Sequence, residues 1–141
     1  MLDKSHTCIW GWSNGGSMTL YSLLHSEAFR CGISGAPVTD WHLYDSAYTE
    51  RYLGLPKQNP KPYDESMPNA AGNLKGSLLL IHGTSDENVH IQNSIVMINS
   101  LINANKQFRL MLYPGKTHGV TGNQRLHLYQ MMLDFFQDNL E

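Results

Sequence analysis

The sequence predicts an α/β domain with about four parallel strands flanked by helices. Four short apolar runs of strand length alternate with stretches whose apolar residues recur at helical spacing. The clearest run, residues 77–83, is almost continuously apolar, as expected for a strand that is buried on both faces of a parallel sheet. The length of 141 residues suits one domain, and no repeat or low-complexity segment divides it.

The elements can be placed in chain order. Strands are expected within residues 7–10, 29–37, 77–83 and 108–114. Three longer helices are expected to bury apolar faces made of Met18, Tyr21 and Leu24, then Ile91, Ile95, Ile98, Leu101 and Ile102, and finally Leu126, Tyr129, Met132, Leu133 and Phe136. Between the second and third strands, one short helix is predicted by an aromatic stripe, Trp41, Tyr44, Tyr48 and Tyr52. The proline-rich stretch from residue 54 to residue 72 predicts a long surface loop.

A serine between glycines lies where the first strand meets the first helix. The segment Gly11-Trp12-Ser13-Asn14-Gly15 has the G-x-S-x-G spacing of a nucleophile elbow, a sharp turn that exposes a serine hydroxyl. A glycine on each side is expected to remove Cβ atoms that would collide in this turn. The motif alone is weak evidence, but its position between a strand and a helix is the context that it requires. Ser13 is therefore a candidate nucleophile.

Two further loops supply partners for that serine. All strands of a parallel sheet end at the same edge, so the loops after the third and fourth strands should open onto the same crevice as Ser13. Asp86 and His118 lie in those loops and complete the chain order Ser, Asp, His, which is typical of α/β hydrolases. His118 would take the serine proton and a carboxylate would orient it. Spacing alone leaves Glu87 open as the carboxylate, and six other histidines are present in the chain.

Five segments carry a resemblance to a known family. They are the elbow with the additional Gly16, Ala36-Pro37-Val38, residues 44–54, residues 82–90 and His118-Gly119. Together they resemble the C-terminal half of the catalytic domain in the dipeptidyl peptidase IV group of the prolyl oligopeptidase family of serine peptidases. The resemblance covers nearly the whole chain, and it implies that residues 1–141 are a C-terminal portion of an α/β-hydrolase peptidase domain, with a partial α/β-hydrolase fold.

The resemblance also implies an activity and a site. It implies a serine exopeptidase that releases X-Pro or X-Ala dipeptides from the N-terminus of a peptide through an acyl-enzyme, with Ser13, Asp86 and His118 as the triad. It assigns Asn88 to a hydrogen bond with a substrate carbonyl, and the walls of an apolar pocket to Val38, Trp41, Tyr44, Tyr48 and Val89. Two alternatives stay open: another serine hydrolase of the family, such as an oligopeptidase or esterase, or a catalytically incompetent fragment or binding relative.

The chain departs from the family in two respects. The residue after the nucleophile is commonly tyrosine in these enzymes and is Asn14 here, which keeps the backbone N–H expected to stabilise the oxyanion. The family also has an N-terminal β-propeller whose acidic residues hold the substrate amino group, and an upstream tyrosine that completes the oxyanion hole. Neither lies in these 141 residues, so we expect the isolated chain to be a weak or inactive excerpt of a larger periplasmic, secreted or cell-surface enzyme.

Composition narrows the possible partners. The net charge of -2 leaves no basic stripe, so no nucleic acid is expected to bind. No apolar run is long enough for a membrane span, and residues 1–6 do not read as a signal peptide. Cys8 and Cys31 lack metal-site spacing and are expected to be core thiols, with no metal and no cofactor. We expect a homo-oligomer, because the run from Thr7 to Trp10 would form an apolar strand edge without proline or charge.

Overall fold

The chain folds as the α/β domain that the sequence predicts. A computed structural model describes residue 3 and residues 6–141. The strands are β1, β2, β3 and β4, at Cys8–Trp12, Cys31–Gly35, Ser77–Gly83 and Arg109–Tyr113. The α-helices are α1 to α5, at Asn14–His25, Ser46–Leu53, Lys61–Asp64, Gln92–Asn103 and Gln124–Leu140. The expectation about a signal peptide concerns Met1, Leu2, Lys4 and Ser5, which lie outside the described residues.

The sheet is parallel, and its strands lie in the order β1-β2-β3-β4. Helix α5 packs on one face, where its buried residues Leu128, Met132 and Phe135 contact the β2 and β3 side chains that point that way. Helices α1 and α4 and a 3₁₀ turn at Met67–Asn73 cover the other face. All four strands therefore end at the same edge, and the loops after β1, β3 and β4 converge there.

The predicted helix faces are only partly correct. In α1 the buried leucines are Leu20, Leu23 and Leu24, whereas Met18 and Tyr21 are exposed. In α4, Leu101 is buried as expected, but its companions are Asn93, Ser94 and Met97, while Ile95 and Ile102 are exposed. In α5 Met132 is buried, and Leu126, Tyr129 and Leu133 are exposed. Each helix therefore buries a face that is rotated from the predicted one, and in α4 this face includes two polar residues.

The segment between β2 and β3 is more ordered than predicted. The aromatic stripe is not on one helix: Trp41 begins a 3₁₀ turn that ends at Leu43, and α2 begins only at Ser46. Asp45 separates the two because its carboxylate accepts the backbone N–H of Tyr48 as an N-cap. The proline-rich stretch is not a plain surface loop, since it includes α3 and the turn at Met67–Asn73, which bury Tyr63 and Ala71.

The two cysteines are not core thiols. Cys8 and Cys31 form a disulfide. They occupy opposing register positions on β1 and β2, which brings their Cα atoms to 4.7 Å, within bridging distance. Sequence spacing could not show this pairing, because it depends on how the two strands align.

None of the helices in the part of the chain that the structure describes is long and apolar enough to cross a bilayer.

Candidate active site

Ser13 lies in a strained turn between β1 and α1. Its backbone dihedrals are φ 59° and ψ -121°, a conformation that a non-glycine residue rarely adopts. The turn is held by hydrogen bonds from the Ser13 N–H to the Gly35 carbonyl oxygen, 2.8 Å, and from the Ser17 N–H to the Ser13 carbonyl oxygen, 2.9 Å. Strain of this kind persists only where surrounding contacts enforce it, and it is typical of functional sites.

The glycines that allow this turn are not the two expected from the motif. A Cβ on Gly11 would lie 2.2 Å from the Gly15 carbonyl oxygen, so Gly11 is required as predicted. A Cβ on Gly15, in contrast, would have nothing within 4 Å among the described residues. The second required glycine is Gly16, where a Cβ would lie 2.3 Å from the Gly35 carbonyl oxygen. Close approach of α1 to the end of β2 is the reason.

Asp86 and His118 meet at the same edge of the sheet. His118 Nδ1 lies 2.8 Å from Asp86 Oδ2, and the Asp86 side chain is fully buried while that of His118 is 24% exposed. The backbone N–H groups of Asn88 and Val89 donate to Asp86 Oδ1, each at 2.9 Å. Glu87 is exposed and does not take part in this pair. The Asp86 carboxylate is thus held rigidly against Nδ1 of His118, and Nε2 of His118 is left for another partner.

The elbow and the histidine loop are tied together by Trp12. Its indole Nε1 donates to the His118 carbonyl oxygen at 2.7 Å, across 106 residues of sequence. In the described part of the chain the Ser13 hydroxyl makes no hydrogen bond to His118, and such bonds are often long in hydrolases without substrate. This hydrogen bond therefore holds the loop that carries His118 close to Ser13, which follows Trp12 in the chain.

A small cavity opens next to Ser13. Its volume is about 110 Å³, and it is bounded by Ser13, Asn14, Val38, Trp41, Tyr44 and Tyr48. The aromatic rings support one another: the Tyr44 and Tyr48 rings lie 5.4 Å apart edge to face, and the Trp41 and Tyr48 rings lie 6.3 Å apart in a stacked arrangement. Such a cavity accepts one small apolar group, not a large aromatic side chain.

Asn88 and Val89, the other predicted pocket residues, lie in the loop that carries Asp86. The Tyr44 hydroxyl donates to Asn88 Oδ1 at 3.0 Å, which leaves the Asn88 NH₂ group as a donor. Burial, followed by the nearby Asp45, Tyr48 and Asp86, raises the pKa of Tyr44, so its hydroxyl keeps the proton that it donates. Val89 is fully buried and is not among the residues that bound the cavity.

Asn93, a residue that sequence reasoning missed, holds the pocket wall in place. It is fully buried on α4, and its Oδ1 accepts the backbone N–H groups of Thr39 and Asp40 at 3.0 and 3.3 Å. Its Nδ2 donates to the Leu43 carbonyl oxygen at 3.2 Å. The segment that contributes Val38 and Trp41 to the cavity is therefore anchored to α4. In the sequence Asn93 appears only as a polar residue within a predicted helix, which does not indicate that it is buried.

His82 was also missed as a member of the site. Its Nε2 lies 3.2 Å from Asp86 Oδ2, and both side chains are fully buried. In the sequence it appears only as the polar residue near the end of an apolar strand.

Comparison with known proteins accounts for this geometry. The model of the prolyl oligopeptidase family matches residues 1–141. The chain belongs to the prolyl oligopeptidase family. Proteins named as a prolyl endopeptidase and a dipeptidyl peptidase resemble this chain over nearly its whole length, so the resemblance drawn from five short segments is confirmed.

Individual relatives show how much of a larger protein this region represents. The chain is 42% identical over 141 residues to prolyl endopeptidase FAP of Bos taurus, covering 96% of this chain and 19% of that protein. It is 44% identical over 124 residues to the probable dipeptidyl-aminopeptidase B of Neosartorya fischeri, covering 84% and 14%. The crystal structure of Porphyromonas gingivalis dipeptidyl peptidase 4 superposes with a TM-score of 0.95 at 42% identity, covering 99% and 20%. The chain thus spans at most about a fifth of the length of each of these three relatives.

Proposed function

We propose that the protein carrying this chain is a serine dipeptidyl peptidase that releases X-Pro or X-Ala dipeptides from the N-terminus of peptides. The observation that carries the proposal is the pair formed by the buried Asp86 and the partly exposed His118, 2.8 Å apart, at the sheet edge that also presents Ser13 in its strained turn. An ionised carboxylate on Nδ1 fixes the imidazole with Nε2 free to accept a proton, which is what a serine hydroxyl needs to act as a nucleophile. The names of the relatives support the same reaction class.

The residues act in two half-reactions. His118 Nε2 takes the Ser13 proton as the Ser13 oxygen attacks the scissile carbonyl carbon, and the same imidazolium then gives the proton to the leaving amine. The acyl group remains on Ser13 until a water molecule, activated in turn by His118, hydrolyses it. The negative oxygen formed in each half-reaction is stabilised by the backbone N–H of Asn14, the first residue of α1. In both half-reactions Asp86 stabilises the imidazolium.

The cavity supports a preference for proline or alanine before the scissile bond. At about 110 Å³ it is a few times the volume of one water molecule and suits a pyrrolidine ring or a methyl group. Val38, Trp41, Tyr44 and Tyr48 make its walls apolar, and Ser13 forms part of its lining. In this proposal the Asn88 NH₂ group donates to a substrate carbonyl, and Val89 acts through its backbone N–H, which holds Asp86 Oδ1.

The experiment compares four substrates on the whole protein: Gly-Pro-anilide, Ala-Ala-anilide, an N-acylated Gly-Pro-anilide and a simple ester. The proposal predicts turnover of the first two and loss of activity on the N-acylated substrate. Cleavage of the acylated substrate at a similar rate would support the alternative suggested by a relative's name, a prolyl endopeptidase. Ester turnover alone would indicate a general hydrolase.

The triad assignment needs its own controls in the same assay. Replacement of Ser13, Asp86 or His118 by alanine is expected to lower kcat by several orders of magnitude each, without additivity. Glu87→Ala is the matched control, because Glu87 is exposed beside Asp86 and should keep normal turnover. A failure of fluorophosphonate to label Ser13 in the unmodified protein would instead point to a non-catalytic relative.

We also propose that the chain self-associates. Strand β1 is an outer strand of the described sheet, and Trp10 on it is 56% exposed. The run from Thr7 to Trp10 contains no proline and no charge to oppose pairing with another strand. Two copies could join these edges antiparallel about a two-fold axis. Light scattering that gives a stable monomer at tens of micromolar would contradict the proposal.

A further inference from the structure

Both ring nitrogens of His82 contact polar atoms in the protein interior. Nδ1 lies 2.7 Å from the Ser94 hydroxyl oxygen, and Nε2 lies 2.8 Å from the Val89 carbonyl oxygen and 3.2 Å from Asp86 Oδ2. The two partners of Nε2 can only accept, so Nε2 carries a hydrogen. Burial lowers the pKa of His82 and keeps the ring neutral, although the Val89 carbonyl and Asp86 act in the opposite direction. Nδ1 therefore accepts the hydroxyl hydrogen of Ser94.

This arrangement places nitrogen atoms next to both oxygens of Asp86. Its Oδ1 receives the two backbone N–H groups of Asn88 and Val89, and its Oδ2 lies between His118 Nδ1 at 2.8 Å and His82 Nε2 at 3.2 Å. If His82 were absent, His118 would be the only side chain among the described residues that contacts Asp86 Oδ2. The position of Oδ2, and with it the direction of the His118 ring, would then depend only on the contacts of Oδ1 and on His118 itself.

We propose that His82 is a positioning residue, whose Nε2–H holds Asp86 Oδ2 and the Val89 carbonyl together and so orients the carboxylate toward His118. Ser94 takes part by fixing the tautomer of the His82 ring. The inference rests on the proposed function, because it assigns Asp86 and His118 to the reaction. His82 itself touches no substrate, since it is fully buried and does not bound the cavity beside Ser13.

Loss of the His82 hydrogen has two consequences. The imidazole of His118 is less well directed, which lowers the rate of the step that uses it but leaves substrate binding nearly unchanged. The Asp86 carboxylate also keeps more of its negative charge on the side of His118, so the acid limb of the rate profile should move to higher pH. The other titratable groups that face this cluster are His118 from the loop after β4 and Tyr44 from the segment before α2, while α4 contributes the uncharged Ser94.

The experiment measures the rate at which a fluorophosphonate labels Ser13, as a function of pH, in the whole protein and in three variants. In His82→Gln the amide nitrogen can reach the position of Nε2, whereas in His82→Asn it reaches only that of Nδ1. We expect His82→Asn to lower the limiting rate about tenfold or more and to move the acid limb to higher pH. We expect His82→Gln to restore most of both, and Ser94→Ala to give an intermediate loss because the ring stays in place. With Gly-Pro-anilide, the loss should fall on kcat and not on KM.

Several outcomes would overturn the inference. One is that His82→Gln and His82→Asn are both labelled as fast as the unmodified protein at every pH. Another is that the two variants lose the same amount of labelling rate. A purely structural role would reduce the amount of protein that can be labelled without moving the acid limb. If the variants do not fold, ¹⁵N NMR of the unmodified protein decides, since the hydrogen must be on Nε2 of His82 and its presence on Nδ1 refutes the proposal. Labelling of Ser13 without cleavage of proline substrates would refute the proposed substrate class and leave the test of His82 intact.

Discussion

Two neighbouring glycines at the start of α1 should respond in opposite ways to the same added methyl group. A Cβ on Gly16 would lie 2.3 Å from the Gly35 carbonyl oxygen and 3.1 Å from the Gly35 N and C atoms. These are backbone atoms of β2, so no side-chain rotation can relieve the contact. Restoring a separation of about 3.5 Å requires α1 and β2 to move apart by about 1 Å. Overpacking of this kind typically costs about 1–3 kcal/mol of the free energy of unfolding.

The same displacement should affect the nucleophile. The Ser13 N–H donates to the Gly35 carbonyl oxygen, so moving that carbonyl moves the elbow, and a shift of 1 Å can cost about a hundredfold in rate. Gly15→Ala is the matched control: it adds the same methyl group one residue earlier, into open space, and should be neutral or slightly stabilising. Urea denaturation and the fluorophosphonate labelling rate measure the two effects. A Gly16→Ala protein with normal stability and labelling, or a Gly15→Ala protein that is equally damaged, would refute the reasoning.

Three further predictions concern the pocket, the disulfide and the buried imidazole. Tyr44→Ala should lower kcat/KM for proline substrates, because Tyr44 bounds the cavity, whereas Tyr52→Ala, at a ring that is 66% exposed and outside the cavity, should not. Replacing Cys8 and Cys31 by serine should lower the free energy of unfolding by about 3 kcal/mol, measured in urea, and added reductant should reproduce that loss in the unmodified protein. Burial lowers the pKa of His82 in the folded state. The free energy of unfolding should therefore be at its full value above the unfolded pKa of about 6.5 and should decline as the pH falls below it. His82→Gln should flatten that decline, and an unchanged slope would refute the conclusion that His82 is buried in its neutral form.

The sequence was sufficient to predict features that depend on a local pattern or on the general geometry of parallel sheets. Strand β3 is apolar because it is covered on both faces, and that pattern is local. Ser13, Asp86 and His118 could be placed at one edge because each follows a strand, and parallel strands end together. The Cys8–Cys31 bridge could not be predicted, because it depends on the register of two strands that are separated by a helix.

The error in the buried face of α4 and the failure to identify Asn93 have the same cause. The buried side of α4 begins with two consecutive polar residues, Asn93 and Ser94, and a search for apolar periodicity passes over them. Asn93 fixes the strip of backbone that carries the pocket wall, and Ser94 contacts the imidazole that faces Asp86. Because Asn93 and Ser94 both lie in the first turn of α4, the same helix positions the pocket wall and the Asp86 carboxylate. Positions at which local packing rules fail are the ones expected to serve function, and the first turn of α4 is such a position.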